Sequence, residues 1–210
     1  MPDRAIAVET TISAPFAAVW QALRDPEAIR RWHGWDFDGL DEEIDVIYVR
    51  DVPADEAAGT IEIGDGSRFE LEDRGATTVV RVTMPAPAGG ASWDELYADV
   101  REGWATFVEQ LRFALERHPG EERRAFTADG PPAVRVDGAP GTAYRATTPW
   151  GEELRGEVRY RTGHQVVLSV DAYGPGLVAL HAKPDGGGLT VVTAYGLDDD
   201  ALGELQQRWR

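Results

Sequence analysis

GWATFVEQLRFALERHPG, residues 103–120, is the stretch on which the fold turns. Trp104, Phe107, Val108, Leu111, Ala114 and Leu115 recur three and four residues apart, which lines one helical face with apolar side chains. Upstream, Trp93, Leu96 and Val100 continue the stripe, and Ser92 with Glu95 has the S-x-x-E form of a capping box. His118-Pro119-Gly120 supplies the stop. The spacing predicts a helix over 92–117. At 1.5 Å per residue, about 25 residues span roughly 37 Å, enough to cross a whole curved sheet. Gly103 sits in the middle of this helix, where glycine costs about 1 kcal/mol relative to alanine. Such a residue either lets the helix approach its neighbour closely or leaves room beside Trp104.

Working towards the N-terminus, four runs read as short strands with turn residues between them. They are IDVIYVR (44–50), GTIEIGD (59–65), SRFELED (67–73) and TTVVRVTM (77–84). GDGS (64–67) and DRGA (73–76) look like tight hairpin links, and residues 84–91 like a loop. Before them, AIAVETTI (5–12) alternates apolar and polar residues as a strand does. SAP (13–15) then opens a helix with Ser13 as its cap, and Phe16, Val19, Trp20 and Leu23 share one face. A second short helix begins with Asp25 as cap and Pro26 at its first position, turns Ile29 and Trp32 inward and ends at Gly34.

Towards the C-terminus, residues 121–132 are polar and rich in breakers and read as a linker between domains 1–120 and 133–210. Six further strands are expected: AVRVD (133–137), TAYRATT (142–148), LRGEVRYR (154–161), QVVLSVDA (165–172), GLVALHAK (176–183) and LTVVTAY (189–195), with DGGG (185–188) as a hairpin turn. The closing DDDALGELQQRWR (198–210) has an acidic start suited to a helix N-terminus and an apolar stripe of Leu202, Leu205 and Trp209. Each half is thus a block of strands followed by a helix, and the second reads as a partial repeat of the first.

Composition excludes several classes. With no cysteine among 210 residues, disulfides, thiolate nucleophiles and zinc-thiolate sites are ruled out. A net charge of −16 repels phosphate backbones and anionic lipid heads, so nucleic acid is not an expected partner. It leaves open a protein partner docking on the acidic surface. No run approaches the roughly 20 apolar residues of a membrane span, and the opening residues lack the apolar core of a signal peptide; the expected location is cytoplasmic. The four histidines, His33, His118, His164 and His181, show no metal spacing, so no metal or other cofactor is expected. G-x-S-x-G and the phosphate-binding glycine motifs are absent. Asp198–Asp200 lacks calcium-loop spacing, and Glu42-Glu43 and Glu70/Glu72 read as solvent-facing.

ISAPFAAVWQALRDPEAIRRWHGW (12–35) resembles the opening of START-like (SRPBCC) proteins, in particular the branch named for the activator of heat-shock-protein-90 ATPase. GWATFVEQLRFALE (103–116) resembles that branch's closing G-W helix, and PWGEELRGEVRYRTGHQVVLSV (149–170) is similar to its central strands. The resemblance implies an α+β helix-grip fold: a curved antiparallel sheet around a long C-terminal helix, here followed by a β-rich second unit. It also implies a cavity that takes an apolar small molecule. Trp32, Trp35, Tyr48, Phe69, Gly103, Trp104, Phe107 and Leu111 are the residues expected to line it. His33 and Asp36, within WHGWD, are the only candidates for acid–base work. The function expected is therefore binding with little or no catalysis. The alternatives are an aromatase- or cyclase-type enzyme and a regulator of a chaperone ATPase.

Overall fold

The computed structural model describes residues 4–64, 66–85, 91–183 and 186–210, with residues 91–99 as backbone only. The chain divides into two compact units, residues 1–33 with 38–120 and residues 34–37 with 121–210. Each is built from one antiparallel sheet and a small number of helices, so the chain is α+β.

The first unit starts with β1 (Arg4–Ile12), α1 (Phe16–Arg24) and α2 (Pro26–Arg30). Val19 and Leu23 of α1 are buried, as their shared face requires, while Phe16 and Trp20 stack at the rim with ring centroids 5.9 Å apart. The Asp25 side chain caps α2 by accepting the Glu27 N–H at 3.0 Å. Ser13 is not the cap of α1. Pro15 occupies that position with no side-chain cap, and the Ser13 N–H instead donates to Glu116 Oε1 at 2.9 Å.

Residues 44–50, expected as a strand, are helical. They belong to α3 (Leu40–Ile44) and a following π-helical turn (Asp45–Val49), in which the Arg50 N–H reaches the Asp45 carbonyl five residues back at 2.7 Å. The β-branched run misleads here; the burial period decides. Leu40, Ile44 and Tyr48, four apart, are buried, while Val46 between them is exposed. On the outer side Arg50 pairs with Asp45 and Glu42, and its hydrogen bonds to Asp45 first and Glu42 next hold the guanidinium above its ordinary pKa.

The remaining strands are β2 (Ala54–Asp55), β3 (Thr60–Glu62), β4 (Arg68–Asp73) and β5 (Thr78–Pro85), and the sheet order is β1-β5-β4-β3-β2. Ile61, Phe69 and Val82 stand opposite one another on adjacent strands and are all fully buried, so this cross-strand row forms the floor of the core. Helix α4 (Ala91–Arg117) runs along β1. Arg101 Nε donates to the Ala7 carbonyl at 3.1 Å, and the Ser13–Glu116 bond ties the helix's other end. The expected capping box at Ser92 and Glu95, with Trp93 and Leu96, lies outside the described side chains.

The second unit comprises β6 (Arg123–Asp129), β7 (Ala143–Thr147), β8 (Glu153–Arg161), β9 (Gln165–Val170), β10 (Gly176–Ala182), β11 (Gly188–Tyr195) and α5 (Asp199–Trp209). The sheet order is β6-β11-β10-β9-β8-β7. Two expectations fail here. The supposed linker contains β6, which pairs along its length with β11 and sends Phe126 and Ala128 into the core. Its charge is misleading because the Arg123 guanidinium is itself buried and donates to the Gly34 carbonyl at 2.8 Å. Conversely, AVRVD (133–137) alternates buried Val134 and Val136 with exposed residues but stays outside the sheet; Arg161 takes the carbonyls of Val136 and Gly138 instead. At the C-terminus, Asp198 caps α5 by accepting the Ala201 N–H at 2.8 Å, and Leu202, Leu205 and Trp209 enter the core.

Candidate functional site

In the first unit, five rings form a closed circuit. His33 and Tyr48 lie 5.0 Å apart, Tyr48 and Phe69 6.4 Å, Phe69 and Trp104 5.4 Å, Trp104 and Phe107 5.9 Å, and Phe107 and His33 4.7 Å. Most contacts are edge-to-face, the arrangement the ring quadrupoles favour. The rings come from the end of α2, the π-helical turn, β4 and α4, so the fold gathers residues up to 74 positions apart (Phe107 minus His33). Trp32 flanks the circuit, 5.6 Å from both His33 and Tyr48, and its indole N–H donates to the Ala22 carbonyl at 2.8 Å. Leu111 is buried one turn further along α4.

A polar chain runs through the circuit. Tyr48 Oη lies 2.9 Å from His33 Nδ1, and His33 Nε2 lies 2.9 Å from Glu43 Oε1. Tyr48 is 0% exposed and His33 1%, while the Glu43 side chain is 38% exposed, so the chain leads from the core to solvent. The π-helical turn places Tyr48 here, and Arg24 supports it by donating to the Tyr48 carbonyl at 2.6 Å. A carboxylate, an imidazole and a phenol in series can pass a proton or fix the direction of a hydrogen bond.

Gly103 lies on the same face of α4 as Phe107, one turn before it, and both are only half buried. Among the described residues, nothing stands within 4 Å of a Cβ built at Gly103. No described residue therefore makes a close approach at Gly103; open space of this kind fits a solvent-facing position or a gap beside Trp104.

Two expected site residues fall in the other unit's segment of chain. Trp35 and Asp36 belong to the 34–37 segment, which is grouped with the second unit. The Asp36 carboxylate accepts the Ala125 N–H at 2.9 Å, and its own N–H bonds the Ala125 carbonyl at 2.9 Å. The carboxylate that meets His33 is that of Glu43. Glu43 had looked like half of a solvent-facing acidic pair, and its helical i, i+5 relation to Tyr48 was hidden by the strand reading of 44–50. No sequence signal short of that helix would have found it.

Each unit also has a cavity. One of about 260 Å³ in the first unit is lined by residues that include Ala18, Ala22, Ala28, Trp32 and Ala114. Another of about 490 Å³ in the second unit lies between the 132–137 segment and the β8–β9 turn. In the second unit, too, Glu152 accepts from Tyr173 Oη at 3.0 Å and from the Trp150 indole at 3.1 Å, while the Trp209 indole donates to Tyr173 Oη at 3.2 Å. Burial is the main cause that raises the Tyr173 phenol well above its ordinary pKa; Glu152 adds to it and the Trp209 bond opposes it. Among the described residues, no group of three or more acidic or histidine side chains is placed to hold a metal ion, and no helix is long and apolar enough to cross a membrane.

No family model and no curated protein matches the sequence. Among solved structures, DynU16, from the dynemicin biosynthetic locus, is 18% identical, with 99% of this chain and 93% of that one covered at a TM-score of 0.40. The di-domain ARO/CYC StfQ from the steffimycin pathway is 15% identical, covering 97% and 88% at 0.37. The di-domain ARO/CYC BexL from the BE-7585A pathway is 12% identical, covering 99% and 93% at 0.40. Likeness at this level assigns neither a fold nor an activity to the chain.

Proposed function

We propose that the first unit is a helix-grip domain that binds a flat, apolar small molecule at the Gly103 notch, against Trp104 and Phe107. The observation that carries this reading is the combination at one place of open space at Gly103 among the described residues, half-buried Phe107 and an aromatic circuit that holds a polar chain. Small-molecule sites combine apolar walls with a few fixed polar groups. The order of elements, a strand, paired helices, antiparallel strands and a 27-residue helix lying along β1, supports the helix-grip assignment.

Filling the notch tests it. Gly103→Leu occupies the space without losing helix propensity, so the variant keeps its thermal stability. Its affinity for 1-anilinonaphthalene-8-sulfonate, followed by probe fluorescence, falls at least tenfold. Unchanged probe binding in a folded Gly103→Leu protein rejects the notch. Native mass spectrometry of protein purified from its source supplies the companion result, a retained small molecule.

The second reading is an aromatase- or cyclase-type enzyme. What favours it is the Glu43–His33–Tyr48 series, since carboxylate, imidazole and phenol in hydrogen-bond reach are groups suited to proton transfer. Turnover of an aromatic-precursor ketone that is lost in His33→Gln separates an enzyme from a binder.

A further inference from the structure

In the second unit, the 132–137 segment stays outside the sheet and leaves a cleft of about 490 Å³ beside the β8–β9 turn. That volume is in the range of small-molecule sites. Its apolar lining comes from the core: Val136, Val166 and Leu180 belong to the second unit's buried cluster and border the cleft. Arg161, the last residue of β8, lines it as well and is half buried. A guanidinium carries five N–H groups in a flat fork. Arg161 spends the edge formed by Nε and Nη2 on the segment's backbone, Nε donating to the Gly138 carbonyl at 2.7 Å and Nη2 to the Val136 carbonyl. The end formed by Nη1 and the second Nη2 hydrogen has no partner among the described residues. The charge of the cleft also runs against that of the chain. Arg135 and Arg161 line it with one carboxylate, Asp137, whereas the whole chain carries −16. Asp137 stands 3.6 Å from Arg135, the two side chains being 84% and 90% exposed, so this surface pair answers Arg135 rather than Arg161.

We infer that this cleft is a second binding site, for an organic carboxylate with an apolar body. The carboxylate takes the outer end of the Arg161 fork through two parallel N–H···O bonds, the geometry that this pair of groups favours. The apolar body lies on Val136, Val166 and Leu180. Because two backbone carbonyls already hold the guanidinium, little side-chain freedom is lost when the carboxylate arrives. The site lies within the second unit and does not rest on the binding reading of the first.

Isothermal calorimetry with 2-naphthoate and 2-naphthamide provides the test, since the two share a ring system and differ in the charge. A charge-assisted pair predicts that 2-naphthoate binds roughly tenfold more tightly, by a margin that narrows as salt is raised. Arg161→Gln brings the naphthoate down to the amide's affinity and leaves the amide's own affinity unchanged. Gly103→Leu, in the first unit, leaves the preference for the acid in place. If Arg161→Gln does not fold, or loses both compounds, Ala182→Trp decides. Ala182 lines the cleft at the exposed end of β10, and the larger side chain narrows it, so naphthoate affinity falls severalfold. Equal affinities in the wild-type protein, a preference that survives Arg161→Gln, naphthoate binding unchanged in folded Ala182→Trp, or a preference lost in Gly103→Leu overturns the inference. The last of these outcomes assigns the carboxylate to the first unit; the others leave the reading of the first unit untouched.

Discussion

The phenol oxygen of Tyr48 meets the Nδ1 of His33 at 2.9 Å inside a wall of four other rings, with neither side chain exposed to solvent by more than 1%. A buried polar group that loses its partner pays its desolvation cost in full, whereas a made bond contributes only modestly. Tyr48→Phe should therefore destabilise the first unit by about 1–3 kcal/mol with little change in packing volume. Urea unfolding followed by tryptophan fluorescence measures this. A cost near zero would mean that His33 re-pairs without the phenol.

The two glycines Gly103 and Gly174 predict opposite outcomes for the same substitution. At Gly103 an added methyl meets no described atom within 4 Å, so Gly103→Ala should gain helix propensity and stabilise by up to about 1 kcal/mol. At Gly174 the backbone φ is 72°, and a Cβ would stand 1.7 Å from the Tyr195 carbonyl oxygen. Gly174→Ala combines a left-handed conformation with a backbone clash and should cost several kcal/mol, of the order of 2–4. Paired denaturant melts check both signs in one experiment.

Trp104→Ala should cost roughly 3–5 kcal/mol, the range for a large aromatic removed from a packed core. Trp104 is buried and stands edge-on to Phe69 and Phe107. A loss below about 1.5 kcal/mol would show that the ring borders open space on more sides than Gly103's.

Much of the first unit could be read directly from the chain. The i, i+3, i+4 stripe of α4 and the Asp25-Pro26 start of α2 are local signals, and local physics decides them. The errors occur where tertiary contacts overrule local preference. Ile44 to Val49 looks like a strand because β-branched side chains suit a pleated surface, yet burial every fourth residue winds it into a helix with a π turn. Arg123 and Arg124 make β6 look like linker, although Arg123 is buried against a carbonyl and Arg124 pairs with Asp199 at 2.7 Å. The members of the ring circuit were nameable as aromatics in separate elements. The Glu43–His33 bond was not, because it depends on the helical turn that the sequence concealed.

Proteolysis probes the correction to β6. A linker over 121–132 would be cut early, but residues 123–129 are hydrogen-bonded to β11 throughout. The exposed backbone nearby is at 137–142, beyond Val136, where Asp137, Ala139 and Pro140 are exposed. Limited digestion should give its first second-unit cleavage in 137–142, ahead of any cut within 123–129. Mass spectrometry of the fragments identifies the bond. Early cutting inside β6 would restore the linker.

Alkaline pH supplies the last prediction. Burial pushes the Tyr195 phenol up to about 12 from an ordinary value of 10; nearby Arg123 works against the rise and Glu121 adds to it. Burial likewise raises the Tyr144 phenol, with Asp171 and Tyr173 contributing, and the Tyr173 phenol. In each case the folded state holds its proton more tightly than the unfolded chain. Above the unfolded value of about 10 the unfolded chain releases the proton first and gains stability by doing so, so folding stability falls as pH rises. Below that value both states are protonated and the effect is flat. For Tyr195 alone the loss between about pH 10 and about pH 12 is on the order of 2–3 kcal/mol. The urea midpoint should hold from pH 8 to about 9.5 and then decline, with tyrosinate absorbance appearing together with unfolding rather than before it. Tyr195→Phe removes one of the three ionisations and should make the decline shallower. A midpoint that stays level through pH 11, or tyrosinate absorbance that develops fully in the folded protein, would show that these phenols are not held from solvent as the structure places them.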